Sequence, residues 1–455
     1  LILEWEDFLA SGVLFPEMMA RQPGGEGILP SQDLRELVRN GIISGPSIGE
    51  DQIQPSSIDL RLSREAYHVA ASFLPGPSTT LLAKAEANGM LRQQIDISSP
   101  TLFYPGQIYI IPLMESLDLP PDVFGIANPK STTGRLDIFT RLITDIGDEF
   151  ERVRRGYSGK LYIEVVSQTF PILVQAGMRL NQLRLARGRH IFAGDRALRK
   201  LDQNDPLIFA DDDVTQASVD RGLRLTVDLQ GNGSGIVAYQ ARKTSTPIDL
   251  NKIDHYEIAD FWTPIPRNDK LQCTLDLGEF YILASKQRVR VTPSYAAELL
   301  PYDLASQEFR VHYAGFFDPG FGFGMSGEIP GTRAVLEVRA SQIPILLEDD
   351  QFVGRLNYYR MAAVPDKVYG GVIGSSYQQQ GLALSKQFRR DQEYSSSSGA
   401  TASADAMSGR KVGNGRDNGL RSVSDTEEED DVGASMLAFP SSCVEHAMSA
   451  KNVDE

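Results

Sequence analysis

The strongest constraint on the fold is that the chain repeats itself. Gly106-Gln107-Ile108-Tyr109-Ile110 is answered by Gly278-Glu279-Phe280-Tyr281-Ile282, an offset of 172 residues that Pro121 and Pro293 keep. Glu164-Val165 with Pro171-Ile172-Leu173 is answered by Glu337-Val338 with Pro344-Ile345-Leu346, at an offset of 173. Arg179-Leu180-Asn181 then finds Arg355-Leu356-Asn357. Spacing kept over such a span implies a tandem duplication, so any fold assigned to one unit must serve twice. At 455 residues the chain exceeds what one core fills. The units are read as residues 28–200 and 201–394, between an extension at 1–27 and a tail at 395–455.

Each unit reads as strands. Short β-branched and aromatic runs follow Pro-Gly, Gly and Asp turns, as in Gln107–Ile111 after Pro105-Gly106 and Leu161–Val166 after Gly159. Helical periodicity is scarce. Ser31 is expected to cap a short helix bearing Leu34, Leu37 and Val38, with Gly41 stopping it. The architecture is therefore mostly β, barrel-like or sandwich-like, with a few short helices. From Ser395 onward a serine run and the acidic block Asp425–Asp431 replace apolar residues, the composition of a disordered tail.

The net charge of −15 argues against a nucleic-acid polymer as partner. A local basic pocket on an acidic body instead favours a small polyphosphate. The two cysteines, Cys273 and Cys443, cannot form a disulfide framework, which points to a reducing, cytoplasmic setting. Because the sequence begins at Leu1, organelle targeting stays open. No apolar run approaches membrane-spanning length. The five histidines are scattered and no Cys-x-x-Cys pair exists, so a zinc-ligand signature is missing.

Two stretches carry chemistry. Asn128-Pro129-Lys130-Ser131-Thr132-Thr133-Gly134-Arg135 offers hydroxyls between cations, as a phosphate chain requires. Gly159 to Glu164 places one carboxylate in an otherwise apolar strand, where burial raises its pKa and makes it a usable proton carrier.

These pieces resemble the deoxycytidine triphosphate deaminases of the dUTPase-like superfamily, in their two-domain form. Gln54–Leu62 resembles the family's early strand motif, and Tyr104-Pro105-Gly106 with Leu119–Asp122 its hairpin. Lys130–Arg135 resembles its phosphate motif and Gly156–Glu164 its catalytic strand. In the second unit, Gly315–Phe321 resembles the Asp-Pro-Gly element. Tyr369-Gly370-Gly371 and Tyr377–Gly381 resemble the segment that covers the nucleotide. The likeness runs from about Gly27 to Arg390. It implies two tandem distorted β-barrels, a homotrimer with sites between subunits, and hydrolysis of dCTP to dUTP and ammonia. It also implies magnesium carried on the nucleotide's phosphates, with no zinc.

On this resemblance Glu164 is the general acid/base, with Ser131 and Arg135 beside it. Lys130, Thr132, Arg152, Tyr369, Tyr377, Gln379 and Gln380 bind the nucleotide. The chain also departs from the pattern. Arg154 stands where the sugar-contacting Asp belongs, and Ser376 where a Lys often precedes the Tyr-Gln motif. In the second unit the stretch aligned with the phosphate motif, Leu300–Ala305, has no Lys, Ser or Arg, so Glu337 is expected to stabilise the fold and the first unit to hold the catalytic residues. The rival readings are a dUTP pyrophosphatase, a bifunctional deaminase/pyrophosphatase and a non-catalytic nucleotide sensor. The absence of a carboxylate from Val153–Tyr157 weighs against the first two, and Lys130, Ser131, Arg135 and Glu164 together weigh against the last.

Overall fold

In the first half, the apolar alternation of the sequence becomes two sheets that share one interior. The computed structural model describes residues 25–210, 213–231, 234–301, 309–311, 315–324, 326–340, 343–370 and 381–389. Helix α1 (Ser31–Arg39) leads into strand β1 (Ile58–Leu60) and then helix α2 (Leu81–Ala87). Strands β2 (Ile108–Asp118) and β3 (Val123–Pro129) precede the one-turn helix α3 (Ser131–Gly134). Strands β4 (Ile138–Thr144), β5 (Ser158–Ser167) and β6 (Asn181–Arg187) complete the half. β5 lies between β2 and β4 in one sheet, and β6 pairs with β1 and β3 in another. Ser31 departs from its expected role. Pro30 occupies the cap, while Ser31 opens the helix and turns its hydroxyl to Asp366 of the second half.

The second half repeats these pairings in register. Its principal strands are β7 (Phe280–Val289), β8 (Tyr295–Pro301), β9 (Thr332–Ala340) and β10 (Phe352–Arg360). Glu164 of β5 faces Ile110 of β2, and Glu337 of β9 faces Ile282 of β7. Leu183 faces Ala127 as Leu356 faces Leu299. This register makes Leu356 the counterpart of Leu183, so the apparent match of Arg179–Asn181 with Arg355–Asn357 is a chance likeness. Strand ladders fix the equivalence, and one slipped residue would turn every side chain to the other face.

Alternation along the catalytic-type strands decides where the halves meet. Leu336 and Val338 of β9 fill the second half's own core. Val335, on the opposite face, joins Phe280, Ile282 and Trp262 in a cluster continuous with the first half's core. Burial of such side chains contributes roughly 1.5–3 kcal/mol each, an upper bound given residual burial in the unfolded chain. The first half uses the matching face differently. Tyr162 of β5 packs with Ile110, Ile143, Val69 and Leu81 of α2, so the sheet is covered by its own half. All the described residues belong to one compact unit. Among them no helix is long and apolar enough to cross a membrane. The tail from 395 onward lies outside the described residues.

Candidate active site

Helix α3 is a single turn, Ser131–Gly134, closed by Lys130 and Arg135. Lys130 is extended, its carbonyl accepts from Thr133 and Gly134 (2.8 and 3.0 Å), and Arg135 N closes on Ser131 O at 3.0 Å. This turn leaves Ser131 exposed and carries Arg135 inward, where it is 3% exposed. A guanidinium so buried requires partners. Arg135 Nη1 donates to the carbonyl of Ala383 at 3.0 Å, and Nε lies 4.0 Å from Glu337 Oε1. The catalytic-type motif of the first half thus meets the strand carboxylate of the second.

Glu337 is 6% exposed on the face of β9 that packs against the first half. Burial pushes its carboxyl up to about 7, although Arg135 pulls the other way. At 4.0 Å and an effective dielectric near 20 that attraction is roughly 4 kcal/mol gross. Desolvation still wins, leaving a carboxyl that can both accept and release a proton at neutral pH.

A second pair braces the first. Two residues beyond Arg135, Asp137 is completely buried; two residues beyond Glu337, Arg339 reaches it in a cross-half ion pair. Thr169 completes the triad, donating to Asp137 Oδ2 at 2.6 Å and accepting from Arg339 Nη2 at 2.8 Å. Matching two-residue steps on the two elements put this brace beside the Arg135–Glu337 contact.

The structure does not pair Glu164 with Ser131 or Arg135. Glu164, 1% exposed, takes both Nε and Nη2 of Arg141 on Oε1, at 3.1 and 2.6 Å. Arg141 stacks over Phe150 at 3.6 Å and donates to Ser72 at 2.5 Å, which fixes it there. The reason is the ladder. Glu164 sits opposite Arg141, three residues or about 10 Å beyond the start of β4, and Arg135 lies earlier still.

Lys130 forms an ion pair with buried Asp59, and Thr132 accepts at its carbonyl from Ser385 Oγ at 2.9 Å. Arg152 is exposed on a short strand opposite Ile126. Tyr369 donates its backbone N–H to Pro319 at 2.8 Å and packs against Phe321. Tyr377, Gln379 and Gln380 lie outside the described residues. A cavity of about 360 Å³ opens beside α3, lined among others by Asp59, Lys130, Thr132, Arg179 and Lys386. Sequence reasoning gave Glu337 a role in the fold only and did not single out Asp137, Arg339, Arg179 or Lys386, which the structure places at this contact or in the cavity beside it. The available signal was complementary loss: one half keeps the cationic motif, the other lacks it yet retains the carboxylate.

Comparison with known proteins bears on the same two halves. Residues 25–189 match the family described as 2'-deoxycytidine 5'-triphosphate deaminase (DCD) N-terminal domain, and residues 194–388 its C-terminal domain. The crystal structure of 2'-deoxycytidine 5'-triphosphate deaminase from Agrobacterium tumefaciens is 42% identical. It superposes with a TM-score of 0.70, the match covering 74% of this chain and 99% of that one. The chain belongs to the two-domain dCTP deaminase family. More distant relatives are the dUMP-forming dCTP deaminases of Thermobifida fusca (strain YX), 27% identical, and Parafrankia sp. (strain EAN1pec), 29% identical. Those matches cover 34% and 35% of this chain and 76% of each relative.

Proposed function

We propose that this dCTP deaminase hydrolyses dCTP to dUTP and ammonia at one composite site per chain, with Glu337 rather than Glu164 as general acid/base. Glu337 takes a proton from water as its oxygen attacks C4 of cytosine, and N3 is protonated. A second proton then goes to the amino group, which leaves as ammonia while the C4 carbonyl forms. Arg135 and Ser131 orient the carboxyl and the water. Lys130, Thr132 and Arg152 bind the triphosphate nucleotide; Tyr369, Tyr377, Gln379 and Gln380 cover it. The observation that carries this reading is the approach of Arg135 and Glu337, both buried and one from each half. A contact that the resemblance assigns to neighbouring subunits is available inside one chain, so a trimer is part of the proposal without being needed for this pair.

Magnesium on the phosphates belongs to the same proposal. Asp59 lines the cavity and its Oδ1 is buried without a hydrogen-bond partner, a hard oxygen suited to such an ion or its water. Among the described residues no group of three or more His, Cys, Asp or Glu is placed to hold a metal. Bound there, magnesium would neutralise phosphate charge; the residues named above do the rest.

A second reading, formation of dUMP, draws support from the names of the distant relatives. The carboxylate missing from Val153–Tyr157 is also available on the half that supplies Glu337. Asp318 accepts from Ser56 Oγ at 2.5 Å and lies 3.6 Å from Arg184. Incubation with dCTP and magnesium separates the readings: ammonia with dUTP supports deamination alone, ammonia with dUMP and pyrophosphate the bifunctional enzyme. No ammonia at all would sink both.

A further inference from the structure

One connection has diverged between the halves in a way that reaches Arg135. Tyr67 faces Ile110 of β2 as Tyr239 faces Ile282 of β7, so residues 70–90 and 242–261 are equivalent connections. In the first half this connection carries α2, whose Leu81 packs with Tyr162 on the face that bears Glu164. In the second half it crosses to the other half instead, where Ile248 and Asp249 pair in parallel with Ile172 and Leu173. From there it grips the C-terminal segment, residues 381–389. The backbone N–H of Asp254 donates to Lys386 O at 2.9 Å, and those of His255 and Tyr256 to Gln387 O at 2.9 and 3.0 Å. Phe388 is buried against Phe261 and Trp262.

The segment in turn meets the α3 turn at two points. Ala383 O accepts from Arg135 Nη1 at 3.0 Å, and Ser385 Oγ lies 2.9 Å from Thr132 O. Gln387 extends the chain of bonds: its Oε1 stands 2.7 Å from Ser385 Oγ, and its Nε2 donates to Leu250 O at 3.2 Å. Ser385 and Gln387 are both buried. One hydroxyl proton therefore serves two acceptors, one on α3 and one leading back to the second half's connection. Ser385 is the link that both share. A backbone carbonyl fixes a guanidinium only as well as its own chain is fixed, and Ala383 lies at most about 7 Å along the chain from Ser385. Thr132 sits in α3 and Arg135 closes it, so the two contacts hold the same turn.

We propose that Ser385 is a positioning residue for the deamination, tying the C-terminal segment to the α3 turn so that Arg135 stays against Glu337. The proposal rests on the reading of Glu337 as general acid/base, and it requires no contact between Ser385 and the nucleotide. Arg135, from the first half, is the charged group that faces Glu337, while Arg339 two residues on is taken up by Asp137. Displacing Arg135 weakens the charge that holds the Glu337 carboxyl down against its burial. The carboxyl is then ionised only at higher pH. A misplaced orienting group also costs rate in a step that depends on near-contact geometry.

The test uses the full chain with dCTP and magnesium, ammonia release being followed from about pH 5.5 to about pH 9. Ser385→Ala should lower kcat at neutral pH about tenfold, with KM within about twofold. The midpoint of kcat/KM should move up by about half a pH unit or more, so that the deficit narrows in alkali. Ser385→Thr keeps the hydroxyl and should recover most of both. Ser385→Cys, a weak donor of similar shape, replaces the Ala variant should that fail to fold. A purely structural role would lower stability and leave the midpoint in place. An unmoved midpoint, a deficit equal at every pH, or a change confined to KM overturns the proposal. A readout without substrate separates it from the deaminase reading. Urea unfolding at about pH 4.5 and about pH 9 should show a larger loss with rising pH in Ser385→Ala than in the native chain. A carboxyl whose folded pKa rises further loses more stability as it ionises. That result in a protein that releases no ammonia upholds the positioning role and removes the deaminase reading instead.

Discussion

Glu164 and Glu337 occupy equivalent places in the two halves: the same strand, the same ladder register, each opposite an isoleucine. Their surroundings have diverged. The first half closes over its carboxylate with α2 and commits it to Arg141. The second half leaves the matching face open to the first, where Arg135 waits. Duplication thus supplied two copies of each strand, and the structure brings the cationic loop of one half to the carboxylate of the other. A carboxylate with one oxygen taking two N–H bonds from arginine is well suited to structure; one raised to about 7 by burial is suited to moving protons.

The largest expected effect separates the two acids directly. Glu337→Gln should lower kcat for ammonia release by roughly 10²–10⁴-fold, the range for loss of a general acid/base. Glu164→Gln should keep kcat within about tenfold while lowering stability by about 1–3 kcal/mol, through its charged hydrogen bonds to Arg141. Steady-state ammonia assays with thermal melts check both.

Breaking the brace should come next. Arg339→Met leaves Asp137 charged and buried, which costs about 3–5 kcal/mol of stability. By loosening Glu337 against Arg135 it should also cut kcat about 10- to 100-fold with little change in KM. Asp137→Asn, which can keep the Thr169 contact, should do less of both. Chemical denaturation and separate kcat and KM values are the readouts.

The pH profile sharpens the contrast further. Because Glu337 must be ionised to accept the proton, kcat/KM should rise with pH through a midpoint near 7. Its folded pKa lies above the ordinary 4.5, so the stability it contributes is full below about pH 4.5 and is lost as pH climbs through 7. The shift corresponds to about 3 kcal/mol at most. Urea unfolding at pH 4.5 and pH 8 should show that loss in the native chain and much less of it in Glu337→Gln. Smallest of all, Arg152→Ala, on an exposed position of a two-residue strand, should change kcat and KM within about threefold.

The β architecture was legible because its signals are local. Pro105-Gly106 and Gly159 announce the strands that follow, and the period of two assigns their faces. The repeat was legible too, although Arg179-Leu180-Asn181 misled: three matching letters weigh less than a ladder register. The cationic loop was singled out from its residue types alone, and the structure folds it as one turn beside a cavity. That Arg135 lies beside Glu337 and not beside Glu164 was hidden for a physical reason. Sequence proximity favoured Glu164, about thirty positions from Arg135, whereas Glu337, about two hundred away, comes close only when Val335, Phe280 and Ile282 dock on the first half. No local pattern encodes that docking. Nor does Lys386 announce itself, since a lysine after Ser385 looks like any surface lysine until Lys130 and Arg179 are seen beside it.

The most direct test is a structure of the Glu337→Gln protein soaked with dCTP and magnesium. The cytosine ring should sit between the halves, with C4 within about 4 Å of the residue-337 side chain and Arg135 beside it. Cytosine found instead against Glu164, with Arg141 swung aside, would contradict the account.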